Sequence, residues 1–306
     1  MIDGGRVFDE AKPIIKENIP YTIDAFVKSL KKVYPQAPFE HKDFFLLGSG
    51  MKKDISKDID LGIDVETLQI DRLDLYDISK ESYQLEFDLL TRRARTATDD
   101  QLRLKSFLKL FGSKAQEKSE CISFDVKKTG TGVSHFMFPQ YQSILRSGKM
   151  VQIDVMVGDP KWLNFSYHSE SYKGNIKGLH RTQLVLSLLD YKGYSFNHTL
   201  GVLDKKSRKI VARNPKEVCN LLNILYGIKA FQVINLYNYH QLFRSFINEA
   251  DPLESEGVFD IFLKVLDSTR CDIPDPLVAY WIENKERLKL TGKFLPEESR
   301  LQKFLD

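Results

Sequence analysis

Apolar residues recur along this chain in two periods, and the switches between them divide it into segments. Ile23, Phe26, Val27, Leu30 and Val33 fall three and four apart, the stripe of an amphipathic helix, with Thr22 placed to cap its start and Pro35 and Pro38 to end it. Residues 44–47 then form a short apolar run, Gly48-Ser49-Gly50 reads as a turn, and Ile59, Leu61 and Ile63 alternate with Asp58 and Asp60 as in a strand with one buried face. Residues 82–112 read as largely helical: Asp99 or Asp100 caps a segment carrying Leu104, Phe107, Leu108 and Phe111 on one face, and Gly112 sits at its end. From 121 to 139, alternation on either side of Thr129-Gly130-Thr131-Gly132 predicts a β-hairpin. Val151, Ile153, Val155 and Val157 alternate with Gln152, Asp154 and Met156, which predicts another half-buried strand.

Beyond Pro160 the pattern turns mainly helical. Helices are predicted over 177–190, with Leu179, Leu184, Leu188 and Leu189; from Asn214-Pro215 to Gly227; and over 230–249, 258–266 and 277–289, the last after Asp275-Pro276. A β-hairpin near 194–211, turning at Asp204-Lys205-Lys206-Ser207, interrupts them. The elements add up to an α/β (α+β) chain. A mixed sheet of roughly five strands with helices packed on it occupies 1–165, with a helical insertion near 71–120, and a mainly helical domain follows over 166–306.

Composition narrows the classes. With 306 residues, 42% hydrophobic and 11% aromatic, the chain can bury sizeable cores. A net charge of +3 carries no overall commitment to nucleic acid. Cys121, Cys219 and Cys271 are odd in number and far apart, which argues against a disulfide framework, and no Cys and His spacing suits zinc. No apolar run has the length of a signal peptide core or a membrane span, so a cytoplasmic setting without a membrane partner is expected. The sequons Asn164-Phe165-Ser166 and Asn197-His198-Thr199 are then coincidental. Arg92, Arg93, Arg95, Arg103, Lys105 and Lys109 read first as a solvated helix face and second as a nucleic-acid contact. Tyr237, Tyr239, His240, Phe243 and Arg244 could stack a base, but with Phe231, Ile234, Leu242 and Phe246 alongside them, core packing is the first reading.

The candidate chemistry lies in 44–64. Residues i and i+2 of a strand share a face, so Asp58 and Asp60 point together, and a divalent cation is the commonest way to neutralise such a pair. The turn at Gly48, Ser49 and Gly50 offers free backbone N–H groups and a small hydroxyl to phosphate oxygens. Asp154, an isolated acid in the middle of a later strand, completes an ordered set of three. The pattern of strand, Gly-Ser, Asp-x-Asp strand and third acid on a later strand resembles that of the DNA polymerase beta-like nucleotidyltransferase superfamily. In this chain the spacer 50–57 is slightly short, and Lys57 is inserted into the common Ser-Asp-x-Asp-Leu ending at Ser56 to Leu61.

The resemblance implies metal-dependent transfer of an NMP from a nucleoside triphosphate to a hydroxyl, with two Mg²⁺ or Mn²⁺ ions. Asp58 and Asp60 would hold the triphosphate ion, all three aspartates would share the ion that activates the acceptor, and Asp154 is a candidate to receive the proton. Gly48, Ser49 and Gly50 would contact the triphosphate. Lys52 and Lys53 in the loop, and Lys177 and Arg181 one helical turn apart, are candidates for binding its phosphates. The acceptor stays open between an RNA 3′ end, slightly favoured, a second nucleotide, a small molecule and a protein side chain. A binding module that keeps the fold without catalysis is the reading from another class.

Overall fold

The structure, a computed structural model, describes residues 7–48, 54–93, 97–121, 123–125, 132–170, 172 and 175–284. These fall into two compact units. The first runs to Asn164 and takes in His198–Leu200; the second runs from Phe165 to Asn197 and from Gly201 onward.

The first unit opens with β1 (Ile14–Ile15) and α1 (Ile19–Val33). Helix α1 starts earlier than Thr22, because Pro20 occupies the first turn, where a missing N–H costs nothing, and Thr22 is buried within the helix. Next come β2 (Phe44–Leu46), β3 (Ile55–Ser56), β4 (Asp58–Ile63) and α2 (Val65–Leu68). The 82–112 segment is two helices, α3 (Lys80–Arg93) and α4 (Asp99–Lys118). Thr98 rather than Asp99 or Asp100 caps α4: its hydroxyl accepts from Gln101 N while the Gln101 side chain accepts from Thr98 N, and each bond satisfies a donor the helix leaves free. Gly112 does not end α4; it is buried in the helix, which continues to Lys118. Strands β5 (Ser123–Asp125), β6 (Val133–Gln142) and β7 (Leu145–Val157) follow, then α5 (Pro160–Ser166). Strands β5 and β6 pair antiparallel, with residues 126–131 between them outside the described residues.

The main sheet is mixed, in the order β2-β4-β7-β6-β5, with β4 and β7 parallel and every other pair antiparallel. Alternation sorts its faces. Ile59, Leu61 and Ile63 of β4, Val151, Ile153, Val155 and Val157 of β7, and Phe136 and Phe138 of β6 are all buried in one core with Phe26 and Leu30 of α1 and Phe107 and Phe111 of α4. Phe26 meets Phe136 and Phe138 edge-on, each with ring centroids 5.3 Å apart. Burying one such ring is worth about 2–3 kcal/mol, so the core face fixes which way each strand turns. The opposite face therefore receives Asp58, Asp60, Gln152, Asp154 and His135.

The second unit holds α6 (Gly178–Tyr191), β8 (Tyr194–Asn197), β9 (Gly201–Asp204), β10 (Ile210–Ala212), α7 (Pro215–Tyr226), α8 (Tyr239–Glu249), α9 (Pro252–Ser268) and α10 (Asp275–Asn284). The segment predicted as a two-stranded hairpin is a three-stranded antiparallel sheet, β10-β9-β8. The single helix predicted over 230–249 is a 3-10 turn at Val233–Tyr237 and then α8, because Asn238 caps a new helix by accepting from Gln241 N. That break leaves Ile234 exposed instead of in the stripe, while Tyr239, Leu242, Phe243 and Phe246 are core. No described helix is long and apolar enough to cross a membrane.

Candidate active site

Three register facts assemble the site. Asp60 of β4 lies directly opposite Asp154 of β7, His135 of β6 lies opposite Asp154 on its other side, and Gln152 stands two residues before Asp154 on the same strand face. One oxygen from each of Asp58, Asp60 and Asp154 lies within 4.8 Å of the others. Among the described residues this is the group of acids, histidines and cysteines that could hold a metal ion.

The residues around the acids shape the approach. Gly48 stands at φ +63°, and a Cβ there would come 2.5 Å from Oδ2 of Asp60, so the turn backbone packs directly on that carboxylate. Leu47 N donates to Asp60 O at 2.9 Å, carrying the β2–β4 pairing up to the turn. Farther along β4, Phe45 lies opposite Gly62, and its ring occupies the space a side chain there would need. Both groups come from the β2 side of β4, so β2 and the start of its turn cover the strand face next to Asp60.

Burial raises the proton affinity of all three acids, and neighbouring carboxylates add to it at Asp58 and Asp60. Asp58 is pushed up to about 6, first by burial and then by the charge of Asp154, with Lys57 pulling the other way. Burial, then Asp58 and Asp154, raise Asp60 well above the usual carboxylate range. Asp154 is only 4% exposed, and burial raises it too, against hydrogen bonds from His135 and Gln152 that favour its charged form. Three hard oxygen donors that repel one another, with too little positive charge nearby to settle them, fit Mg²⁺ or Mn²⁺.

The remaining site expectations fare differently. Ser49, Gly50, Lys52 and Lys53 lie outside the described residues. Lys177 and Arg181 belong to the second unit. The Lys177 ammonium is largely exposed and pairs with Asp272 at 3.4 Å. Arg181 is not available to a phosphate in this structure: it is 1% exposed, donates through Nη2 to the carbonyls of Phe165, Ser166 and His168 at 2.6, 3.3 and 3.2 Å, and lies over the Phe165 ring. Burial lowers its pKa to about 10, which still leaves it charged at neutral pH. The adjacent His180 is buried, accepts from Lys177 N at Nδ1, and is driven down to about 4 by burial and by Lys177, so it is neutral. Of the basic residues in the helical insertion, Lys109 pairs with Glu86 at 2.5 Å, and Arg95 lies outside the described residues.

No protein-family model and no curated protein matches this sequence. Among solved structures the chain is similar to the Leishmania infantum polymerase beta in a ternary P/T complex, at 12% identity, covering 76% of this chain and 78% of that one with a TM-score of 0.37. The ternary gap complex of the same polymerase matches at 12% identity, covering 74% of this chain and 71% of that one, also at 0.37. A likeness this loose transfers no residue role. The chemistry rests on the three aspartates and the residues that hold them.

His135 and Gln152 are the site residues that sequence reasoning did not single out. Gln152 carried a signal, since strand alternation places it on the face of Asp154. For His135 the signal was a polar residue inside an otherwise apolar hairpin strand, which becomes meaningful only once β6 and β7 are in register.

Proposed function

We propose that this chain is a metal-dependent nucleotidyltransferase, moving an NMP from a nucleoside triphosphate to a hydroxyl acceptor with release of pyrophosphate. The observation that carries the reading is the meeting of Asp154 with Asp58 and Asp60, far apart in sequence, with one oxygen from each within 4.8 Å of the others on the sheet face opposite the α1 and α4 core. Like charges gathered in this way cost stability, and a divalent ion turns that cost into binding.

Asp58 and Asp60 would hold the ion that faces the triphosphate, and all three acids would share the one that faces the acceptor. Bound ions would supply charge neutralisation at the leaving pyrophosphate and lower the pKa of the attacking hydroxyl. The chain's own part is positioning. Asp58 and Asp60 project together because they are two apart on β4, and Asp154 is fixed from two sides by His135 and Gln152. Gly48 lets the backbone pack against the Asp60 carboxylate, where a side chain would collide with Oδ2.

The acceptor is a hydroxyl whose class no observation singles out. Of the aromatic cluster that could stack a base, Tyr239 and Phe243 are core residues, stacked on each other with centroids 5.8 Å apart. The deciding experiment incubates the protein with Mg²⁺ or Mn²⁺, each α-labelled nucleoside triphosphate, and total RNA, nucleotides, small molecules or lysate protein as acceptors. Pyrophosphate release and a labelled product are expected with the wild type and not with Asp60→Ala. Nucleotide binding without turnover across the whole panel would favour a non-catalytic module instead.

A further inference from the structure

The carboxylate of Asp154 is held by more donors than its position in a strand requires. His135 Nδ1 lies 2.6 Å from Oδ1 of Asp154. Gln152 Nε2 lies 2.9 Å from the same Oδ1 and 3.0 Å from Oδ2. Both partners are themselves buried, His135 at 8% and Gln152 at 1% exposure. The Gln152 amide is fixed at its far end as well, where Oε1 accepts the backbone N–H of Val7 at 2.7 Å. A flipped amide would set donor against donor and acceptor against acceptor, so its orientation is determined by its two neighbours.

With Asp154 ionised, as a metal ligand is, Nδ1 of His135 must carry the hydrogen and donate it. Counting lone pairs then separates the two oxygens. A carboxylate offers about four acceptor directions, two on each oxygen. Oδ1 spends both, one on His135 and one on Gln152; Oδ2 spends one on Gln152 and keeps one. We infer that His135 and Gln152 are positioning residues that saturate Oδ1 of Asp154 and leave Oδ2 as its single metal-binding oxygen. The inference rests on the metal-dependent reading of the site and deepens it. It makes Asp154 a monodentate ligand whose direction is set by strand register, since His135 faces Asp154 across β6 and β7 and Gln152 lies beside it on β7. Outer partners of this kind orient a ligand and raise its basicity, and their loss costs roughly 10–100-fold in metal affinity.

Titration with Mn²⁺, following the free-ion signal by electron paramagnetic resonance, reads this without turnover. His135→Leu keeps the bulk and removes the donor; His135→Asn restores an N–H close to where Nδ1 stands; His135→Gln places its N–H too far out. The expected result is Mn²⁺ binding weakened roughly 10–100-fold in His135→Leu and His135→Gln and largely recovered in His135→Asn. Undiminished binding in His135→Leu overturns the positioning role, and so do equal affinities for the Asn and Gln variants. If His135→Leu does not fold, the Asn and Gln comparison decides by itself. Absence of Mn²⁺ binding in the wild type overturns the metal-dependent reading together with this inference, whereas wild-type binding with indifferent variants overturns the inference alone.

Discussion

Asp58→Asn is expected to stabilise the metal-free protein while disabling its site. In the native chain Asp58 titrates at about 6, against an ordinary value of 3.8, because burial and then the charge of Asp154 penalise its ionised form. A carboxyl whose folded-state pKa lies above its unfolded one holds its proton more tightly in the native chain. Stability therefore falls as pH rises from about 4 to 6, and the full cost stands above pH 6. The gap between about 6 and 3.8, at 1.36 kcal/mol per pH unit, is about 3 kcal/mol at pH 8; integrating only to pH 5 gives about 1.5 kcal/mol. Asparagine keeps the shape and carries no charge at either pH, so it recovers most of that cost. Urea unfolding in EDTA at pH 5 and pH 8 measures both values. Added Mg²⁺ should then reverse the ranking, since an ion at 100 times its Kd adds about 2.7 kcal/mol to the wild type and nothing comparable to the variant. A variant no more stable than wild type at pH 8, or a gain equal at both pH values, would refute the claim that these acids crowd one another at a cost.

Two further substitutions probe the borders of the site and the second unit. Gly48→Ala forces a side chain into left-handed backbone and against Asp60 Oδ2, so a loss of about 1–2 kcal/mol in unfolding experiments is expected. By displacing the carboxylate it should also cut kcat on the order of 100-fold, and wild-type turnover would detach Asp60 from the chemistry. Arg181→Met should destabilise the chain by about 2–3 kcal/mol through lost bonds to the carbonyls of Phe165, Ser166 and His168, with KM for the triphosphate unchanged. A raised KM at unchanged stability would return Arg181 to phosphate binding.

The acids were legible in the sequence because a strand reports its own faces. Ile59, Leu61 and Ile63, and Val151, Ile153, Val155 and Val157, declare the core side, and whatever alternates with them must face the other way. That Asp60 and Asp154 stand opposite each other was not legible, because parallel pairing leaves no local turn from which to count register. His135 stayed hidden for the same reason. The surroundings of Arg181 were hidden for another: helical spacing put it on the face of Lys177, but His180 and Arg181 are both buried, and the backbone carbonyls of Phe165, Ser166 and His168 supply the acceptors a solvated arginine would find in water. The α4 cap was present in the letters, since Thr98 and Gln101 stand in capping-box spacing, and the neighbouring aspartates drew attention from it.

The parallel join between β4 and β7 also bears on how the chain reaches its native state. Strands β6 and β7 meet through a tight local turn, and such a hairpin can form in microseconds. Asp60 and Asp154, by contrast, meet only after the whole insertion carrying α3 and α4 has been closed into a loop, which is a pairing of high contact order. That closure brings like charges together at the moment it forms. The pairing of greatest sequence separation in the main sheet is thus the one that creates the acidic centre, and a divalent ion present during refolding is expected to speed its closure by screening the approach.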